Sequence, residues 1–301
     1  MERVRKLIQC QDASVQHLTG KNVSVGVLDS GVFMHDDLKD NIEGFYDFIH
    51  NRQTTPYDDT GHGTHVCGIL AGNGRASAGR YRGIAPRAKL YVGKILDQNG
   101  EGDISTLIRG LQWLLSISAK EKIRIINISI SSVDFAKESE KRSLYRLFRI
   151  AFDNNILIVT AAGNAGPSGS TISRLGDSPY VICVGCHEGK HYAGNGKKCQ
   201  DCSGRGPGFF VYKKPDLVAP GTEIISCSRY QGKYVAKSGT SMATPIVSGI
   251  LALAVEKNPY ISAQELKRRL ILSADDLGES YLMQGFGMVN AKRMLQEIKS
   301  R

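Results

Sequence analysis

One stretch limits what this chain can fold into more than any other. Ile246-Val247-Ser248-Gly249-Ile250-Leu251-Ala252-Leu253-Ala254-Val255 carries no charge on any side. A helix that is apolar all round must be enclosed on every face. Ser248 and Gly249 interrupt the run and keep it from reading as a membrane span. It is expected as an inner helix of a large core. Gly239-Thr240-Ser241-Met242-Ala243-Thr244-Pro245 leads into it, and glycine followed by small polar residues is a helix-start pattern. Pro245 fits near the first turn, because deeper in a helix it removes a hydrogen bond and clashes. Ser241 then lies at or near the helix N-terminus, where unpaired N–H groups and the positive end of the dipole gather. Its hydroxyl has two readings at this point: a cap on a buried helix, or a nucleophile placed where negative oxygen is favoured.

The preceding residues alternate short apolar strands with helices. Val23 to Leu28, Ala88 to Leu96, Ile123 to Ile130 and Ile156 to Thr160 read as strands. Gly61 to Gly72 reads as a loop entering a helix, and Asp103 as the cap of a second helix with Ile104, Leu107, Ile108, Leu111 and Leu115 on its apolar face. Glu138 to Asn154 reads as an amphipathic helix. Such alternation implies right-handed crossovers and a mostly parallel sheet, flanked by helices in a three-layer α/β sandwich. Functional groups collect at the carboxyl ends of such strands, where Asp29 and Asn164 fall. After Pro179 the pattern predicts shorter strands and hairpins at Tyr180 to Gly185, Gly208 to Tyr212, Thr222 to Cys227 and Lys233 to Ala236. Helices follow from about Ser262 to Ser273 and from about Asn290 to the end. No repeat or linker is visible, so residues 1–301 are expected to form one domain, with 1–20 as an N-terminal arm.

The bulk numbers exclude more than they assign. A hydrophobic content of 41% over 301 residues suffices for one large core. The net charge of +10 is scattered; its densest cluster, Lys141-Arg142 with Arg146 and Arg149, alternates with apolar residues as one solvated helix face. Neither nucleic acid nor membrane is an expected partner. The first ten residues are charged and lack the apolar core of a signal peptide, so the cytoplasm is expected. Seven cysteines, an odd number, suit free thiols in a reducing compartment.

Asp29, His62 and Ser241 stand together as a set. Acyl transfer by a serine needs a base for the hydroxyl proton, and imidazole titrates near working pH. It needs a carboxylate to hold the imidazole tautomer and donors aimed at the oxyanion. Asn164, after Ala161-Ala162-Gly163, can offer a side-chain N–H, and the Ser241 backbone another. Each piece alone has a bland reading as a turn, loop or cap residue. The order Asp, His, Ser is one of the few known triad orders.

Val27-Leu28-Asp29-Ser30-Gly31-Val32, Gly61-His62-Gly63-Thr64-His65-Val66, Ala161-Ala162-Gly163-Asn164 and Gly239 to Pro245 resemble the four signature blocks of the subtilisin-like serine proteases. Gly83-Ile84-Ala85-Pro86 and Lys214 to Gly221 are similar to that family as well. The resemblance covers about residues 15 to 295. It implies a serine endopeptidase with Asp29, His62 and Ser241 as triad, Asn164 as oxyanion donor, an acyl-enzyme intermediate and His65 as a structural residue. It implies a polypeptide substrate added as an extended strand between Gly100-Glu101-Gly102 and Ser129-Ile130-Ser131. The family usually has glycine where Ser131 stands, so a narrower pocket mouth is expected. A neutral first-pocket floor is expected from Ala165, Gly166 and Thr171 to Arg174, including Ser173. Glu101 has two readings, a solvated charge or a selector of basic substrate residues.

Some residues depart from the family. No cofactor is needed for the chemistry. The family's usual calcium loop corresponds to Gly72 to Arg80, which holds two arginines and no carboxylate, so that site is expected to be lost while calcium elsewhere stays open. Few residues precede the first strand, where secreted members carry a prodomain, so an intracellular type with a short N-terminal arm is expected over a chain whose upstream sequence is missing. Cys183-x2-Cys186 and Cys199-x2-Cys202 have zinc-ribbon spacing. Cysteines three apart on a strand point to opposite faces, however, so reduced or buried thiols are expected instead of zinc. A binding protein that uses the groove without cleaving, and an esterase or ligase using the same acyl-enzyme, are the competing functions.

Overall fold

The computed structural model describes residues 1–130, 138–189, 197–209, 213–296 and 298. Seven strands, β1 (Ser24–Asp29), β2 (Ile42–Asp47), β3 (Lys89–Lys94), β4 (Ile123–Ile128), β5 (Leu157–Ala161), β6 (Val181–Cys186) and β7 (Leu217–Ala219), form one sheet. Their order is β2-β3-β1-β4-β5-β6-β7, and every neighbouring pair is parallel. A parallel sheet is covered on both faces, which is why every residue of β1, β5 and β6 is buried.

The two faces sort by alternation along the strands. Val25, Val27, Ile125 and Val159 pack with α3 (His62–Ala71) and α6 (Thr240–Lys257). Leu28, Ile126, Ile128 and Ile158 pack with α4 (Ile104–Glu121) and α5 (Glu138–Asp153). The three-layer α/β sandwich is thus present. Asp103 caps α4 by accepting the Thr106 N–H at 2.6 Å. Helix α6 is enclosed as its sequence requires, with Thr240 to Val255 all buried. The arm carries α1 (Glu2–Leu7) and α2 (Ala13–Gln16), and its Met1, Val4, Ile8 and Cys10 join the α6 side of the core. Three more helices, α7 (Ala263–Leu272), α8 (Tyr281–Gln284) and α9 (Ala291–Gln296), complete the described α-helices.

Three expectations need correction. The segment after Pro179 is not all hairpins: β6 and β7 extend the parallel sheet, and among the described strands β8 (Ile224–Cys227) and β9 (Tyr234–Lys237) alone pair antiparallel. β6 is apolar throughout because both its faces are covered, and such a run shows no period from which to read its partners. Gly208 and Phe209 are not in a strand, and 210–212 lie outside the described residues. Pro245 is the sixth residue of α6, one turn deeper than expected. Its ring removes the N–H that would serve the Ser241 carbonyl; a helix packed on every side tolerates a loss that an exposed one would not.

The chain runs from β1 to β2 at the sheet edge, comes back to β3 between them, and then places β4 on the other side of β1. Strand order reverses there, and the carboxyl ends of β1, β3 and β4 open onto one crevice, the usual location of sites in such sheets.

Gly249 on α6 shows how tightly the inner helix fits. A Cβ there would lie 2.5 Å from the Ile84 Cβ. Overpacking costs about 1–3 kcal/mol, against about 1 kcal/mol gained by alanine over glycine in a helix. Gly249→Ala is expected to lower the denaturant midpoint; a midpoint at or above the parent's would show that the α6–Ile84 contact yields.

Candidate active site

Asp29 ends β1 with no solvent exposure. Its Oδ1 accepts the Ser30 N–H at 2.7 Å and lies 2.7 Å from His62 Nδ1. A carboxylate only accepts, so Nδ1 carries the proton and the Nε2 lone pair is left for the groove. His62 is the first residue of α3, following Gly61 at φ +75°. The orphan N–H groups of that helix start are capped from elsewhere in the chain. Ser30 Oγ accepts from Gly63 at 2.9 Å, and Asp58 Oδ2 accepts from the Thr64 N–H at 2.8 Å and its hydroxyl at 2.6 Å. Asp58 Oδ1 takes the Ser30 hydroxyl at 2.8 Å and the Gly61 N–H at 2.9 Å. Burial raises the Asp58 pKa, but these donors outweigh it and hold the carboxyl below its ordinary value. Buried Lys94, in register with Asp29, donates to the Ser30 and Leu96 carbonyls at 2.9 and 2.6 Å and pairs with Asp59 at 2.8 Å.

Ser241 is the second residue of α6. The N-cap, Gly239, has φ +147°, a backbone region that favours glycine. Thr240 gives both its N–H and its hydroxyl to Asn164 Oδ1, at 3.1 and 3.2 Å. Asn164 is exposed, and this double contact fixes its amide so that Nδ2 is the free donor end. The Ser241 N–H has no main-chain acceptor outside the helix among the described residues.

His62, Ser241, Thr60, Leu96, Asn99, Gly100, Ser129 and Ile130 line one groove of about 270 Å³. Burial lowers the His62 pKa; the Asp29 charge and its hydrogen bond more than offset this, so it lies above the ordinary 6.5. His65 differs. Its Nε2 lies 2.9 and 3.0 Å from the Ile224 and Val235 carbonyls, and burial, aided by Lys237, drives its pKa down to about 3. It remains neutral and joins α3 to the β8–β9 hairpin.

The structure treats the expected substrate residues unequally. Gly100, Ser129 and Ile130 reach the groove. Ser129 is braced through Asn127, whose Nδ2 donates to Ser129 Oγ at 2.8 Å and whose Oδ1 accepts the Ser248 hydroxyl of α6 at 2.8 Å. Glu101 and Gly102 are exposed, and Asp97 shapes their turn by accepting the Asn99 and Glu101 N–H groups, both at 2.9 Å. Ser131 lies outside the described residues. Ala165 is exposed and Gly166 is tied to the Cys202 carbonyl at 2.9 Å. Ser173 turns inward, donating to the Ala161 carbonyl at 2.6 Å, and offers no polar group to a pocket. Asp58 and Thr240 escaped the sequence reading. Their signals were present, an acid and hydroxyl just ahead of one helix start and a hydroxyl at another, but their partners are distant in sequence.

The thiol expectation is corrected. Cys186 and Cys199 form a disulfide, while Cys10, Cys67, Cys183, Cys202 and Cys227 are unpaired. The bridge takes two of the four sulfurs of the zinc-ribbon spacing. Their pairing depends on residue 199 returning to the end of β6, which spacing does not reveal. One trio among the described residues, His35, Asp37 and Cys227, could face a metal ion. The His35 and Asp37 donor atoms are already engaged: His35 with the Lys233 carbonyl and the Asp37 N–H, Asp37 with the Ala76 N–H and the Tyr234 hydroxyl. Among the described residues no helix is long and apolar enough to cross a membrane.

A buried carboxylate oriented on an imidazole, with a hydroxyl at a helix start on the same groove, is the equipment of a serine hydrolase. Residues 20–289 match the model of the Subtilase family. Serine protease AprX of Bacillus subtilis (strain 168) is 38% identical over 296 residues, covering 92% of this chain and 67% of that protein. Subtilisin BL of Lederbergia lenta is 34% identical over 286 residues, covering 95% of each. Among solved structures, Sphericase superposes with a TM-score of 0.77 at 30% identity, covering 91% of this chain and 92% of that one. The chain belongs to the subtilase family and is a serine protease of the subtilisin type.

A base works only when unprotonated, so activity is lost as pH falls through the pKa of the free enzyme's base. With that pKa raised by Asp29, the acid limb of kcat/KM is expected to have its midpoint above about 6.5. A midpoint below that value in a pH-rate profile would show that burial, not Asp29, dominates.

Proposed function

We propose that Ser241 attacks the scissile carbonyl while His62 Nε2 takes its proton, with Asp29 holding the Nδ1–H tautomer and stabilising the imidazolium. Negative charge then develops on the carbonyl oxygen, where Asn164 Nδ2 and the Ser241 N–H are the donors, aided by the positive end of α6. His62 returns its proton to the leaving amine, and water repeats the sequence to release the acyl group. The single observation that carries these roles is the 2.7 Å contact of His62 Nδ1 with buried Asp29, on the groove that Ser241 also lines.

The substrate is a polypeptide, which adds as a strand between the Gly100 to Gly102 segment and Ser129-Ile130. Leu96 and Ile130 in the groove support apolar contacts, and the absence of any acid from 165–174 supports neutral residues at the cleaved position. The exposure of Glu101 supports its solvated reading. The burial of Met1, Val4 and Ile8 in the main core supports a single peptidase domain with its arm folded in.

Calcium binding is typical of the family, and the residues of 72–80 do not fit it. Asp37 closes that loop with its own acceptors, taking the Ala76 N–H on Oδ1 at 2.9 Å and the Asn73 N–H on its carbonyl at 2.9 Å. Arg75 and Arg80 add positive charge where a hard cation wants anionic oxygen. Five unpaired cysteines support the cytoplasmic reading, and the Cys186–Cys199 bridge counts against it.

Intact-mass analysis after a fluorophosphonate probe tests the assignment. One adduct is expected on the parent and none on Ser241→Ala. Asn164→Ala is expected to lose on the order of 10²–10³ in kcat with KM little changed, the size that removal of one oxyanion donor has in a subtilisin. An adduct on Ser241→Ala, or a kcat within a few-fold for Asn164→Ala, would overturn the corresponding role.

A further inference from the structure

We propose that Glu188, held by Arg3 of the N-terminal helix, is a positioning residue for the oxyanion site. Glu188 lies two residues past β6, and its side chain is fully buried. Its Oε1 accepts the Gly221 N–H at 2.8 Å and the Thr222 N–H at 2.6 Å. Its Oε2 pairs with the Arg3 guanidinium, which also donates to the Thr222 carbonyl. The Glu188 backbone is anchored in turn by Gln200 Oε1 at 3.0 Å.

The turn so gripped carries the start of α6. The Gly221 carbonyl accepts the Gly239 N–H at 2.9 Å. Gly239 is the N-cap of α6, and the next residue, Thr240, holds Asn164 by its amide oxygen. A continuous set of contacts therefore runs Arg3, Glu188, Gly221, Gly239, Thr240, Asn164.

The grip works from two sides. A Cβ on Gly221 would lie 2.6 Å from Cys186 Sγ and 3.0 Å from Cys199 Sγ, so the turn already rests against the disulfide. The sulfurs block movement toward them, and the bonds to Glu188 block movement away. A buried carboxylate also demands its cation and donors, so losing either partner leaves charge uncompensated. Oxyanion donors act only within a narrow distance range, roughly 2.7–3.1 Å from the developing charge. A turn that drifts by a few tenths of an ångström would carry Thr240 and the Asn164 amide with it. The N-terminal arm is thereby part of the catalytic apparatus although it does not touch substrate.

This inference rests on Asn164 being an oxyanion donor, and a double-mutant cycle separates the two ideas. The set is Glu188→Ala, Glu188→Gln, Arg3→Ala, Asn164→Ala and Glu188→Ala/Asn164→Ala. For each, kcat and KM on a peptide substrate are measured per active site titrated with fluorophosphonate, so that unfolded protein does not count. Glu188→Ala is expected to lower kcat on the order of tenfold, a fraction of what a whole donor carries, with KM within twofold. Glu188→Gln, which keeps an acceptor, should recover part of the loss. Arg3→Ala, whose side chain is 37% exposed, keeps the test alive should Glu188→Ala fail to fold, and should lower kcat in the same direction. In the Asn164→Ala background, Glu188→Ala should cost less than twofold. If Asn164→Ala costs its full amount while Glu188→Ala keeps its tenfold loss in the double variant, the positioning role is overturned. It is equally overturned if Glu188→Ala, Glu188→Gln and Arg3→Ala lower Tm but leave kcat per titrated site unchanged. An unchanged kcat for Asn164→Ala would instead overturn the oxyanion reading beneath it.

Discussion

The contact between Asp29 and His62 is the interaction on which the rest of this structure depends. A carboxylate with no solvent exposure is costly unless it is hydrogen-bonded. Among the described residues Asp29 has two partners, the Ser30 N–H and His62 Nδ1, both on Oδ1, and its Oδ2 has none. The pair holds only while the end of β1 and the start of α3 stay in place. That task falls to a second buried carboxylate, Asp58, which gathers donors from Ser30, Gly61 and Thr64, and to the buried ammonium of Lys94, which fixes the Ser30 carbonyl. Polar groups in the interior here fix one geometry, and the parallel sheet on which they stand supplies the rigidity.

The second half of the site is assembled differently. Helix α6 lies in an apolar shell, and its depth in the core sets the position of Ser241 to within the packing tolerance of residues such as Gly249 and Ile84. The fine placement of the helix start depends on short polar contacts with Asn164, Gly221 and, behind them, Glu188. Apolar burial thus determines where the helix runs, and a few hydrogen bonds determine where its first turn points. The groove between the two halves is walled by Ser129, itself linked to α6 through Asn127 and Ser248. Ser241, Asn164 and Ser129 are thus all tied to the same helix.

Much of this was legible in the sequence because it depends on local pattern. The parallel sheet follows from apolar strands alternating with amphipathic helices, and Asp103 and Ser262 mark their helices as caps do. That Asp29 ends a strand and that His62 and Ser241 stand at helix starts was legible from the local pattern of apolar runs and glycines. What escaped depends on distant pairs. β6 was read as a strand but not as a parallel partner of β5, and β7 was missed, because strands covered on both faces show no period. The Cys186–Cys199 bridge, the link from Glu188 to Arg3 185 residues away, and the inward turn of Ser173 depend on which segments meet in space. Pro245 was placed a turn too early because propensity ignores the packing that overrides it.

The central claim is that the Asp29 charge sets the state of the His62 imidazole. The direct measurement is an NMR titration of the His62 ring protons in Ser241→Ala protein, with and without Asp29→Asn. The account predicts a pKa above about 6.5 when Asp29 is present, and a fall when its charge is removed and burial and Lys237 are opposed by Asp58 alone. The same pKa in both proteins would contradict it.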